Sequence, residues 1–158
     1  MYQLPSGNTM QILSSHTRAV NIGTFTPNGK RLLTGDATGT LIYWDPRSTT
    51  PLWKLSSADD RLGLTGGVVS IAVNKEGTVA VVGGAEGGVK VVKLAEDKGE
   101  VLRALDGHSE GESVESIVFV DLGGTGREVV VTGGTDGKIC VWDLGTMRLR
   151  TEMKHEAR

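Results

Sequence analysis

His108, Thr132 and Asp136 supply an imidazole, a hydroxyl and a carboxylate, the three groups of a nucleophile–base–orienter set. A hydroxyl activated by a carboxylate-oriented imidazole is the machinery of acyl transfer. Thr132, however, closes the apolar run EVVVT and has no Gly-x-Ser-x-Gly elbow to present it to a substrate. Trp142 falls in the same frame and adds an indole N–H. Four polar groups buried between packed elements each need a partner, so the set reads as a structural hydrogen-bond network. No catalytic residue is expected here.

The other chemical candidates are weaker. His16, His108 and His155 are far apart and give no metal-ligand spacing. The Gly-Gly pairs at 66–67, 83–84, 87–88, 123–124 and 133–134 precede no helix, so none offers a helix N-terminus to a phosphate. Cys140 is the single cysteine and lies in an apolar strand, where it acts as a small hydrophobe. It excludes an internal disulfide and fits a reducing compartment. No metal and no cofactor are expected.

The elements that position these residues repeat. Thr132–Asp143 reads TGGTDGKICVWD, Thr34–Asp45 reads TGDATGTLIYWD, and Val82–Lys93 reads VGGAEGGVKVVK. Each is a strand, a Gly-bearing tight turn and a second strand ending in an aromatic or apolar anchor. The turn glycines Gly39, Gly87 and Gly137 are 48 and 50 residues apart. Short strands and turns at that period mark a propeller blade. The 23 glycines suit many tight turns, and aromatic residues make up only 4% of the 158.

The expected class is all-β, with three four-stranded antiparallel blades over 19–55, 68–105 and 114–153. An extra outer strand of a preceding blade is expected over 8–13. The Asn-Gly turn within Thr26–Lys30 is a hairpin signal. Three blades do not close a ring, because propellers use about four to eight. The expectation is therefore a slice of a longer array, or a ring completed by self-association into a homo-oligomer.

A Gly-His before the first strand, a Ser/Thr closing the second, an Asp in the turn and a Trp ending the third resemble the WD-repeat family. The third unit fills all four places with His108, Thr132, Asp136 and Trp142. In that family these side chains form a structural network, Asp to His, His to Ser/Thr, Ser/Thr to the indole. The first unit keeps His16, Thr34 and Trp44, with Thr38 at the expected Asp place. The second has Leu64, Val82, Glu86 and Val92. Losing most of the network together strands no partner. The phrases LPSGNTMQ, TPNGKRLLTG, GTLIYWDPRS and TGGTDGKICVWDLGTMRL resemble one WD-repeat subgroup. It includes the angio-associated migratory cell protein and a fungal chaperone that escorts a basic large-subunit ribosomal protein. The resemblance implies a protein-binding module, a ribosomal protein among its partners, and a cytoplasmic or nuclear setting.

Charge placement points the same way. Loops joining fourth to first strand and second to third strand emerge on one face of a propeller. They contain Asp36, Asp59, Asp60, Glu86, Asp106, Glu110, Glu112 and Asp136, opposed by Arg18 and Arg61. Lys30, Arg47, Lys75, Lys98 and Arg127 fall in loops of the other face. With Asp136 assigned to the network, the remaining acids would steer a basic peptide. A formal net charge of −2 argues against a nucleic-acid binder. No run reaches membrane-span length. A generic scaffold subunit of a signalling or trafficking complex is the alternative reading.

Overall fold

The computed structural model describes residues 12–57, 62–121, 128–144 and, as backbone, 148–154. Twelve strands form three antiparallel sheets. The first sheet holds β1 (Val20–Phe25), β2 (Leu32–Asp36), β3 (Leu41–Trp44) and β4 (Pro51–Leu55). The second holds β5 (Val68–Val73), β6 (Val79–Gly84), β7 (Val89–Leu94) and β8 (Gly99–Ala104). The third holds β9 (Val114–Asp121), β10 (Glu128–Gly134), β11 (Lys138–Asp143) and β12 (Arg148–Lys154). Each sheet is a meander in chain order.

The sheets stack face to face as blades, with β5 against β1 and β2, and β9 against β5 and β6. Side chains alternate across a strand, so a blade with neighbours on both sides needs apolar residues in both phases. The second blade shows this directly. Ala80, Val82 and Val92 pack toward Leu33, Leu41 and Tyr43 of the first blade. Val81, Val89 and Val91 pack toward Val114, Val130, Cys140 and Trp142 of the third.

The repeat extends to the irregularities. The pairing of third and fourth strands slips at Tyr43/Trp44, Val91/Val92 and Val141/Trp142. The pairing of first and second strands slips after Val20, Val68 and Val114. Such bulges re-aim side chains and are structural features in their own right. Gly39, Gly87 and Gly137 have φ of 85°, 93° and 78°, the left-handed conformation that the tight turn between second and third strands needs.

Two expectations change. The second strands run past their Thr or Val to Asp36, Gly84 and Gly134, because those positions still pair with the first strand. The expected outer strand over 8–13 is not supported at its end: Ile12 and Leu13 are irregular, and Ile12 is exposed. Its remaining residues lie outside the described ones.

Candidate functional site: two polar networks and an acidic rim

In the third blade, His108 Nδ1 lies 3.1 Å from Asp136 Oδ2, and His108 Nε2 lies 2.8 Å from Thr132 Oγ1. Trp142 Nε1 donates to Thr132 Oγ1 at 3.0 Å. The proton positions follow from the chemistry. A carboxylate only accepts, so Nδ1 carries the proton toward Asp136. An indole N–H only donates, so the Thr132 oxygen accepts it, and with a neutral ring Nε2 accepts the Thr132 hydroxyl proton. The backbone amides of Ser109 and Lys138 complete the shell of Asp136, at 2.8 and 2.9 Å. Burial works to raise the Asp136 carboxyl, but the amides of Ser109 and Lys138 and the His108 ring outweigh it and hold it below the usual range.

Thr132 is fully buried, and its hydroxyl is committed on both sides. It cannot meet a substrate without dismantling the blade contact. The group composition of a hydrolase is present, but its geometry is that of a clamp.

The first blade has the same clamp from a different source. His16 Nε2 meets Thr34 Oγ1 at 2.6 Å, and Trp44 Nε1 donates to that oxygen at 2.8 Å. The carboxylate on His16 Nδ1 belongs to Asp36, at 2.7 Å. Asp36 also accepts from the Thr38 hydroxyl at 2.6 Å and from the amides of Thr38 and Thr40 at 2.9 and 3.0 Å. Burial raises its carboxyl, but the bonds from Thr38, Thr40 and His16 prevail, so it too is held below the usual range. Two expectations are thereby corrected. Thr38 does not stand in for the missing acid; it supports Asp36. Asp36 is not a partner-binding residue of the acidic face, because it is 1% exposed and fully bonded inward.

The second blade replaces the clamp with hydrocarbon. Leu64, Val82 and Val92 all join the cluster shared with the first blade. Glu86, at the turn place of Asp136, is exposed and accepts from the Thr65 hydroxyl at 3.2 Å.

The exposed acids gather around the second and third blades. The amide of Gly111 donates to the Glu86 carbonyl at 3.1 Å, which sets the loop carrying Glu110 and Glu112 against the turn carrying Glu86. Thr135 donates to Glu112 at 2.6 Å and fixes that carboxylate at the neighbouring turn. Glu86, Asp106, Glu110 and Glu112 are all exposed. The sequence reading missed one cation on this side: Lys138 Nζ donates to the Gly107 carbonyl at 3.2 Å. Asp59, Asp60, Arg61 and His155 lie outside the described residues. Among the described residues, no group of three or more His, Cys, Asp or Glu is arranged to hold a metal ion, and no helix is long and apolar enough to cross a membrane.

Comparison with known proteins agrees with this geometry. Residues 7–45 and 99–143 match the WD40 family (WD domain, G-beta repeat). Between the two matches lie β5, β6 and β7 of the blade that lacks the clamp. The chain is 35% identical to an uncharacterised WD repeat-containing protein of Schizosaccharomyces pombe, over 97% of this chain and 38% of that one. It is 26% identical to the human angio-associated migratory cell protein, over 99% of this chain and 37% of that one. Thus the chain spans less than two fifths of these relatives. Among solved structures it is similar to Chaetomium thermophilum Sqt1 bound to the N-terminus of the ribosomal protein L10. The TM-score is 0.76 and the identity 28%, covering 89% of this chain and 37% of that one. The RRP9 WD40 repeats share the fold at a TM-score of 0.77 and 16% identity, over 92% of this chain and 41% of that one. The blade architecture, the His–Thr–Trp clamps and the matched repeats together show that this chain belongs to the WD40 repeat family.

Proposed function

We propose that this chain is a non-enzymatic interaction module whose acidic rim holds a basic protein segment, as an assembly chaperone would hold a large-subunit ribosomal protein. The observation that carries this reading is the placement of Glu86, Glu110 and Glu112 on adjoining loops of two blades, all exposed. Neighbouring carboxylates create a field that attracts Lys and Arg side chains. The similarity to Sqt1 supports the class of partner, since that protein is seen with the N-terminus of a ribosomal protein. The commitment of Thr132 and Thr34 to buried clamps supports a binding role over a catalytic one. A cytoplasmic or nuclear setting and no direct contact with nucleic acid belong to the same proposal.

The test is anisotropy titration of a labelled Lys/Arg-rich peptide at low salt. The wild-type chain should bind, and Glu86→Lys combined with Glu110→Lys should weaken binding at least about tenfold with unchanged circular dichroism. Two rim charges at about 0.5–1 kcal/mol each account for a loss of that order. A wild-type chain indifferent to the peptide contradicts the reading and returns the module to the scaffold class.

A further inference from the structure

We propose that the first and second blades are joined by a clasp on the face opposite the acidic rim, and that the second blade relies on it in place of the clamp it lacks. A clamp stands where its blade meets the preceding one: Trp142 packs in the cluster that the second and third blades share. The matching place between the first and second blades holds Leu64, Val82 and Val92. Hydrocarbon contact there excludes water but is non-directional, so it does not fix how the blades meet as hydrogen bonds do.

A set of directed bonds lies at the other end of that junction. Arg31 stands just before β2 in the first blade, and Glu96 lies in the turn between β7 and β8 of the second. Arg31 Nε lies 3.1 and 2.9 Å from the two Glu96 oxygens, and Nη2 meets Oε1 at 2.9 Å. Arg31 Nη1 donates to the Lys30 carbonyl at 2.8 Å and lies 3.7 Å from the Asp45 carboxylate. The guanidinium is thus oriented by its own blade where it takes Glu96. The Glu96 side chain is 64% exposed, so this ion pair alone would contribute little.

The same turn is held at two more points. Trp53 of β4 donates Nε1 to the Ala95 carbonyl at 2.7 Å. Its ring stacks on Tyr43, with centroids 4.9 Å apart, and both residues are buried. A Cβ at Gly99 would come within 2.6 Å of Trp53 Cη2, so the turn closes directly over the indole. Ala95, Glu96 and Gly99 are therefore all held from the first blade. In the second blade, Val91 and Arg103 pair in the register that Tyr43 and Trp53 hold in the first. The stacked aromatic pair is absent at those places, and the junction with the third blade has the His108 clamp instead. Of the two junctions, one is closed by a clamp and the other by a clasp.

Native-state amide exchange of the 158-residue chain tests this. Trp53→Phe keeps an aromatic ring and removes the bond to Ala95, and Glu96→Ala removes the carboxylate from Arg31. The two changes together should speed exchange of the β7 and β8 amides at least about tenfold, the local opening of a unit that has lost two directed contacts, with β10 and β11 changed by less than about twofold. Arg31→Met added to Glu96→Ala should do no more than Glu96→Ala alone, since both remove one contact. Unchanged β7 and β8 exchange in the Trp53→Phe, Glu96→Ala variant overturns the proposal. Equal acceleration in all three blades also overturns it, because the clasp would then hold no particular junction.

Discussion

Asp36 accepts a hydrogen bond from His16 Nδ1 at 2.7 Å, yet it occupies the strand position that Gly134 fills in the third blade. A Cβ at Gly134 would lie 2.8 Å from His108 Nδ1, so a side chain at this position is aimed at the ring. The first blade has thus moved its acid two residues upstream and filled the vacated turn place with Thr38. The two arrangements exclude each other, because the same Cβ would stand 2.9 Å from Asp136 Oδ1.

Asp36→Ala should cost about 1–3 kcal/mol, the penalty of leaving His16 and the turn amides without their buried acceptor. Thr38→Ala should cost less than about 1 kcal/mol, since only one of the bonds to Asp36 depends on its hydroxyl. Urea melts of the two variants give the order. Equal losses would mean that Asp36 is not the centre of the clamp.

Acid should weaken the fold through both clamps. Asp36 and Asp136 are held below the ordinary range in the folded chain, so the unfolded chain takes up protons first as pH falls. Their contribution is complete above the ordinary carboxyl range near about 4 and is lost as pH drops through it toward the folded values. Asp36→Asn with Asp136→Asn should flatten the acid side of a Tm-against-pH curve. Asp45, drawn down to about 2 by its hydrogen bonds from Arg47, keeps part of that slope. A double variant with the wild-type slope would remove the clamps from the account.

Leu64→His places an imidazole where Val82 and Val92 offer no hydrogen bond. Leu64 is 2% exposed, so the loss should be about 1–3 kcal/mol even though the change restores a family residue. Thermal melts would show it, and a stabilised variant would mean that the second blade has a hidden partner for the ring.

Gly35→Ala should cost about 1–3 kcal/mol by overpacking, since the added Cβ would lie 2.4 Å from Val68 Cγ1 and 2.6 Å from Val68 Cβ. Gly133→Ala should change the stability of the single chain by no more than about 0.5 kcal/mol, as expected where no contact is strained. Denaturant melts at low protein concentration separate the two, and equal costs would contradict the difference in packing.

Much of the fold was legible because the repeat signals are local. Strand, turn glycine and anchor residue recur in Thr34–Asp45, Val82–Lys93 and Thr132–Asp143. The third-blade clamp was legible because all four residues stand in the usual frame. Asp36 was hidden for the opposite reason: its charge suggested the surface, and its role depends on which way a strand-end side chain points. The available signal was the coupled exchange of Gly134 for Asp36 and Asp136 for Thr38. Lys138 was missed because it lies in a strand, while the charge reading considered only loops. The close approach of Val68 to Gly35 needed the structure, since sequence spacing does not distinguish a filled glycine cleft from an open one.

The most direct measurement of the central claim is the association rate of a Lys/Arg-rich peptide with the wild-type chain, by stopped flow across a salt series. An acidic rim steers a cationic ligand through a field that salt screens over about 8–10 Å. The account predicts an association rate that falls at least about tenfold from 20 mM to 300 mM salt, against a dissociation rate that changes much less. A rate independent of salt, or equal rates for a length-matched acidic peptide, would contradict it.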